Sequence, residues 1–313
     1  MTRQELTAYI ESILPADREA MDAARQRQTE LAKPPGSLGA LEDMSIRLAG
    51  IRRTPRPRID RCRVTVLAAD NGVVAEGVSC APQSVTVQQA VNMTRHKTGM
   101  SALAAYFGDQ VQVVDVGICV PVSCPQVLDR KVRFSTGDIA AEPAMTEQEA
   151  LRALSVGLDL AHMAKEEGID AVGVGEMGIG NTTTSSAVAA VLLGQPVEAM
   201  TGRGAGLSDE GLARKIDAIH RGIAKNQPDS ADALDVLAKL GGFDIAGLCG
   251  VFLGGALEGV PVLADGFISC VAALCAVRFC PAAAKAVFAS HCSTEPAAKL
   301  VLDALNKKAL ITA

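Results

Sequence analysis

The sequence predicts an α/β fold built on a doubly wound parallel sheet, and three observations carry that prediction. Short apolar runs recur along the chain with helical stretches between them. Most of these runs are continuous rather than alternating, the pattern of strands buried on both faces. A small or acidic residue closes each run before the next helical stretch begins. Strands that alternate with helices pair in parallel and carry helices on both faces of their sheet.

Taken in order, residues 2–50 read as helices broken by AKPPGSLGALE. Pro34, Pro35 and Gly36 force a turn there, and Ser37 is the candidate cap of the next helix. RTPRPR (53–58) reads as a linker. The strands are RVTVLAAD (63–70), VQVVDVG (111–117), DAVGVGE (170–176), VPVLADG (260–266) and AKAVFAS (284–290). Helical stretches at 148–167, 208–225 and 229–239 fall between them. Open parallel sheets bind ligands at the C-terminal ends of their strands. Those ends carry Asp70, Asp115, Glu176, Asp265 and the pair Ser290 and His291. Any one of them is explained by capping a turn or helix; their convergence on one edge predicts a site.

Composition narrows the function. The 313 residues make one large domain or two ordinary ones. A net charge of −5, with no Trp and 2 Tyr, argues against a nucleic-acid partner, which needs a basic footprint or aromatic stacking platforms. A bound phosphate must therefore be held locally, by backbone amides or a few cations. The nine cysteines form no C-x-x-C pair and the four His do not cluster with them, so no metal site is expected. An odd cysteine count on apolar segments fits reduced thiols and a cytoplasmic protein. The N-terminus is amphipathic and acidic rather than a signal peptide. The apolar run near Ile245–Ala256 is broken by glycines and too short to span a membrane.

Three stretches carry chemistry. In GVGEMGIGNTTTSSAV (173–188), Gly173, Gly175 and Gly178 match G-x-G-x-x-G. Glu176 sits inside that match, where its charge disfavours a close pyrophosphate. A helix starting near Asn181 or Thr182 offers free N–H groups and hydroxyls suited to a single phosphate, while plain N-capping by either residue is the simpler reading. In TGRGAGLSDEGLARK (201–215), Gly202, Gly204 and Gly206 allow close backbone approach, and Ser208 or Asp209 caps a helix. Lys215 lies about two turns into that helix; taken alone, pairing with Glu210 or Asp217 on a solvated face is simpler than reaching a phosphate. The spacing is not that of a P-loop. The third stretch, 68–93, runs from a strand end through a long polar loop into a helix, where Gln88 and Gln89 can present amides to a flat heteroaromatic ring. No nucleophile signature such as G-x-S-x-G is present.

Seven segments in order resemble one family. They are KPPGSLGALE, the D-x-G-V-V-x-E-G-V loop at 70–78, GEMGIGNTT, TGRGAGL, GGFDIAGLCGVFLGGA, VLADGFIS and SHCSTE. Together they make the chain, from about residue 30 onward, similar to the nicotinate-nucleotide:dimethylbenzimidazole phosphoribosyltransferases of cobalamin (vitamin B12) lower-ligand synthesis. The resemblance implies a Rossmann-like α/β domain over 59–295 and a small helical domain built from the chain termini, 1–58 and 296–313. It implies a homodimer that moves the phosphoribosyl group of nicotinate mononucleotide onto 5,6-dimethylbenzimidazole, giving α-ribazole 5′-phosphate and nicotinate with inversion at the anomeric carbon. The pyridinium leaving group is already cationic, so no cofactor or metal is expected. By motif position Gln89 lines the benzimidazole slot. Gly178, Asn181, Thr182, Gly202, Gly204 and Lys215 surround the nucleotide, Asp265 and Ser293 lie nearby, and Glu176 faces the reacting centre.

Two departures stand out. Many members have His after the loop aspartate, where this chain has Asn71. Members also continue past SHCSTE into L-G-E-G-[ST]-G, whose glutamate is the expected general base. Here the sequence reads LNKKALITA over 305–313, and L-G-E-G occurs nowhere in it. Part of the helical domain is therefore expected to be missing, and Glu176 is the best-placed carboxylate for the base. Two other readings follow from the residues: a homologue that binds nucleotide or benzimidazole without turnover, and, more remotely, an NAD-dependent oxidoreductase resting on the glycine pattern.

Overall fold

The computed structural model describes residues 1–311. β1 (Cys62–Ala69), β2 (Gln110–Gly117), β3 (Val127–Asp129), β4 (Ala171–Met177), β5 (Val262–Ala264) and β6 (Val287–Ala289) form one sheet in the order β3-β2-β1-β4-β5-β6. Every neighbouring pair is parallel. The winding reverses between β1 and β4, which opens a crevice at their C-terminal ends.

Before the sheet come α1 (Arg3–Glu11), α2 (Arg18–Glu30) and α3 (Ala40–Arg52). α4 (Ser84–Thr94) and α5 (Gly99–Phe107) join β1 to β2, and α6 (Glu147–Glu166) leads from β3 to β4. The long β4–β5 connection holds α7 (Asn181–Leu193), α8 (Val197–Met200), α9 (Asp209–Asn226), α10 (Ala233–Leu240) and α11 (Phe243–Glu258). α12 (Phe267–Phe279) precedes β6 and α13 (Ala298–Ala304) follows it.

The apolar run that is too short for a membrane becomes α11, buried from Phe243 through Ala256. A helix that is apolar all round belongs in a core. It lies so close to α6 that a Cβ on Gly157 would stand 1.9 Å from the Gly247 carbonyl oxygen. Among the described residues no helix is long and apolar enough to cross a membrane.

β4 differs from its neighbours in one respect that positions the site. Gly173 and Gly175 pair with Val64 and Val66 of β1, and the Cβ atoms they lack would make only ordinary contacts, at 3.7 and 3.6 Å. The fold does not demand glycine at either position. Their absence of side chains instead leaves a flat strip of backbone on one face of the sheet.

Several sequence expectations change. The sequence does not predict the edge strand β3; three residues are too few to show a period. The two late strands are each three residues long rather than seven, because Pro261 cannot donate to a ladder and Pro281–Lys285 coils into a 3-10 turn. The N-terminal helices break at 12–17 as well as at the proline-glycine turn. Ser37 does not cap α3: the N-cap is Gly39, with no side-chain bond. The stretch expected as helix from 229 begins at Ala233, because Asp232 caps it through the N–H groups of Leu234 and Asp235.

Candidate functional site

Of the strand ends expected to share one edge, two are already committed. Asp70 is fully buried, accepts from Thr86 Oγ1 at 2.6 Å and from the Cys119 N–H at 2.9 Å, and so ties β1 to its neighbours. Asp115 accepts from the Gly117 and Ile118 N–H groups and pairs with Lys131 at 2.8 Å. Both are structural. The other three strand ends border a cleft of about 400 Å³ on the open face of β1, β4 and β5. Its floor is the backbone of Gly173 and Gly175, its walls include Val66, Met93, Met100 and Leu263, and Glu176, Asp265 and Ser290 stand at its polar end.

Glu176 closes β4 and is partly buried. Its carboxyl is bonded by Asn181 Nδ2, and the same amide nitrogen donates to Asp244 Oδ2 at 2.9 Å. Asp244 is fully buried in the first turn of α11, where its Oδ1 accepts from the Ile245 N–H at 3.0 Å. One primary amide thus holds two carboxyl groups, using one donor for each. Burial pushes the Glu176 carboxyl up to about 8, the neighbouring charges of Asp244 and Asp265 add to that, and the Asn181 bond opposes it. Burial raises Asp244 to about 6, with hydrogen bonds from Asn181 and the backbone acting against it and the Asp70 charge adding to it. At neutral pH Asp244 is the anion of the pair and Glu176 holds the proton.

The next residue of the same helix serves a different group. Thr182 Oγ1 accepts from Lys215 Nζ at 2.9 Å, and Lys215 also donates to the Gly202 carbonyl at 2.9 Å. Lys215 is 0% exposed, so the solvated-face pairing with Glu210 or Asp217 does not occur. Burial lowers it to about 8, and the Glu295 charge works against that lowering. Ser208 caps α9 through the Gly211 N–H, and the packing of α9 against α7 turns Lys215 inward onto Thr182. Two adjacent residues at the start of α7 therefore face an acid pair on one side and a buried cation on the other. Neither caps the helix: the N-cap is Gly180, in the left-handed region, with no side-chain bond.

The glycine pattern resolves into separate tasks. Gly173 and Gly175 lie inside β4 rather than in a loop, so they form no amide cradle for a pyrophosphate, and the dinucleotide reading loses its basis. Gly178 packs against β1; a Cβ there would meet the Ala69 carbonyl oxygen at 2.2 Å. Gly202 and Gly204 do lie beside Lys215, and Gly204 donates its N–H to Glu295 Oε1 at 3.0 Å.

Of the remaining predicted residues, Asp265 reaches the cleft and Ser293 and Gln89 lie outside its lining. Asp265 stands between β5 and α12, and Ser290 Oγ donates to its carbonyl at 3.0 Å. Ser293 Oγ accepts from the Glu295 N–H at 3.3 Å. Gln89 sits on α4 and is not among the residues lining the cleft; Met93, one turn further along that helix, is. Asn71 is buried and its Oδ1 accepts from Thr184 Oγ1 at 3.2 Å, a supporting contact beneath α7. The loop that follows β1 is held to α9 by Arg221, paired with Glu76 at 2.6 Å, and by Arg214, which donates to the Gly77 carbonyl at 3.3 Å.

Sequence reasoning missed Asp244 and Glu295. Asp244 had a signal: a lone carboxylate at the head of an otherwise apolar helix needs a buried partner. Glu295 had none beyond its place in the SHCSTE segment.

A family model described as phosphoribosyltransferase matches residues 13–313. The nicotinate-nucleotide–dimethylbenzimidazole phosphoribosyltransferase of Chloroflexus aggregans is 47% identical over 307 residues, covering 98% of this chain and 87% of the relative. The enzyme of the same name from Acetivibrio thermocellus is 47% identical over 289 residues, 92% of this chain and 82% of the relative. A crystal structure of the same-named protein from Thermus thermophilus superposes with a TM-score of 0.88 at 40% identity, covering 95% of this chain and 88% of that one.

Proposed function

The chain belongs to the nicotinate-nucleotide–dimethylbenzimidazole phosphoribosyltransferase family of cobalamin biosynthesis, and we propose that the crevice between β1 and β4 carries out that transfer with Glu176 as proton acceptor and Lys215 as phosphate anchor. One observation carries the assignment of roles. Asn181 and Thr182, adjacent at the start of α7, bring a carboxyl pair and a buried ammonium to either side of the same helix end. The reaction needs both kinds of group, one for the proton of the incoming base and one for the 5′-phosphate.

The chemistry balances without a further reactant. The bond between C1′ of the ribose and the pyridinium nitrogen breaks, and its electron pair leaves with nicotinate. A ring nitrogen of dimethylbenzimidazole forms the new bond to C1′, from the opposite face. The N–H proton of the benzimidazole passes to Glu176, and the products are α-ribazole 5′-phosphate, nicotinate and one proton. Glu176 is protonated in the free protein at neutral pH, and a bound pyridinium cation favours its ionised form. The substrate thereby helps to prepare its own base. As positive charge builds at C1′, the Glu176 carboxylate and the nearby Asp265 offset it.

Lys215, the Thr182 hydroxyl and the amides of Gly202–Gly204 make the phosphate subsite. The cleft over Gly173 and Gly175 takes the flat acceptor ring, with Met93 and Met100 as adaptable walls. Gly175→Ala tests that placement. Its Cβ would meet Val66 at 3.6 Å, so the fold should accept it with melting temperature unchanged. The added methyl stands on the slot floor, and the KM for dimethylbenzimidazole is expected to rise about tenfold with that for nicotinate mononucleotide unchanged. An unchanged acceptor KM would move the ring elsewhere.

The wider reading includes a small helical domain divided from the sheet domain near residues 58 and 295, and a cytoplasmic location, which the nine free cysteines suit. It also includes a homodimer. Leu103, Tyr106 and Phe107 on α5 are 62%, 82% and 72% exposed, a cluster of apolar side chains that a subunit contact would cover. Sedimentation equilibrium should return twice the 32.4 kDa chain mass, and a monomer at micromolar concentration would remove the dimer from the reading.

A further inference from the structure

Glu295 stands in the cradle just described, and the transfer reaction gives it no task. It lies on the loop that follows β6, and its Oε1 accepts the Gly204 N–H at 3.0 Å. Its Oε2 is buried without a hydrogen-bond partner. A Cβ on Gly202 would stand 2.1 Å from that oxygen, so residue 202 has to be glycine for the carboxylate to enter. Lys215 Nζ uses two donors, on Thr182 and the Gly202 carbonyl, and an ammonium has three. A carboxylate with one oxygen satisfied and the other bare is an expensive occupant of a buried pocket. It is held by a single backbone amide, and it is close enough to Lys215 to affect its charge.

A donor set of backbone N–H, hydroxyl and ammonium is what a phosphate monoester requires. We propose that the Glu295 carboxylate is an internal stand-in for the substrate phosphate: it occupies the Gly204 N–H and holds the Gly202–Gly204 loop open, and the incoming phosphate displaces it. This rests on the phosphoribosyl reading of the cradle. Because the displaced carboxylate stays nearby, it repels the phosphate of substrate and product alike. Glu295 therefore limits how tightly any phosphate monoester is retained and favours release of the phosphorylated product.

The test compares the full chain with Glu295→Gln, which keeps an oxygen for the Gly204 N–H and removes the charge. Calorimetric titrations at pH 7 would use inorganic phosphate, nicotinate mononucleotide and dimethylbenzimidazole. Removing a like charge from a partly desolvated site is expected to tighten phosphate about tenfold, to tighten the mononucleotide in parallel, and to leave dimethylbenzimidazole unchanged. Phosphate affinity that is equal or weaker in Glu295→Gln, or no phosphate binding to either protein, overturns the exchange. The phosphate arm decides this inference by itself. A wild-type protein that binds phosphate but not the mononucleotide would instead count against the nucleotide reading. Should Glu295→Gln fold poorly, amide NMR of the wild-type chain replaces it: phosphate must shift the Gly204 N–H resonance together with the Glu295 side-chain carboxyl carbon. A Gly204 shift with an unmoved Glu295 carboxyl overturns the exchange.

Discussion

Glu176→Gln is expected to lower kcat/KM by about 10²- to 10⁴-fold, the usual consequence of removing a general base. The substitution is nearly isosteric, and a glutamine oxygen can still accept from Asn181 Nδ2, so the Asn181–Asp244 contact survives. The pH dependence distinguishes loss of a base from loss of shape. In the free protein the Glu176 carboxyl sits at about 8, and the proton acceptor is its ionised form. Wild-type kcat/KM should therefore climb as pH rises toward 8, and the residual activity of Glu176→Gln should lack that rising limb. Stability moves the opposite way. The native protein binds this proton more tightly than the unfolded chain does, so wild-type stability from this group is full below the ordinary carboxylate range and is lost as pH rises through about 8. Glu176→Gln, which cannot ionise, should match wild type in melting temperature near pH 5 and exceed it near pH 9. Unchanged turnover in the variant would sink the assignment of Glu176 as base.

How much of this is legible in the sequence follows from the physics of each feature. The long buried strands are readable because β1, β2 and β4 are continuous apolar runs, and continuity survives tertiary context. β3 and the shortened β5 and β6 are not, because a three-residue strand is defined by its partner rather than by its own pattern. Glu176 is legible as an anomaly, a carboxylate inside a glycine run. The division of labour among those glycines is hidden. Gly178 answers to the Ala69 carbonyl and Gly202 to Glu295, residues far away in sequence, while Gly173 and Gly175 leave the cleft floor bare. The solvated-face reading of Lys215, taken from its own helix, fails for a related reason. Helical spacing places a lysine beside Glu210 and Asp217, but which face of α9 is buried depends on α7, and the sequence of α9 alone does not record that.

Lys215→Met should separate binding from folding. At neutral pH the wild-type ammonium is charged and fully enclosed, and its hydrogen bonds go to the neutral Thr182 hydroxyl and Gly202 carbonyl. Its folded-state value is depressed to about 8, so the stability it contributes is present above the ordinary lysine range and is lost as pH falls through 8. Replacing it with methionine removes that desolvation cost, while leaving the Gly202 carbonyl without its donor costs about 1–3 kcal/mol. The two changes oppose each other, and the melting temperature at pH 7 should move little. Function should not be spared. A phosphate held by a buried ammonium loses a charge-assisted bond, and kcat/KM for nicotinate mononucleotide is expected to fall by about a hundredfold. Dimethylbenzimidazole carries no phosphate, and its affinity should be unchanged. Arginine offers no rescue, because a planar fork cannot replace a point charge in a site with 0% exposure. In wild type, nucleotide affinity should weaken as pH rises through 8 and Lys215 loses its proton, which gives a descending limb opposite the Glu176 ascent and a narrow optimum centred near 8. A Lys215→Met protein with unaltered affinity for the mononucleotide would show that the phosphate lies elsewhere, and the same result would remove the pocket on which the Glu295 exchange depends.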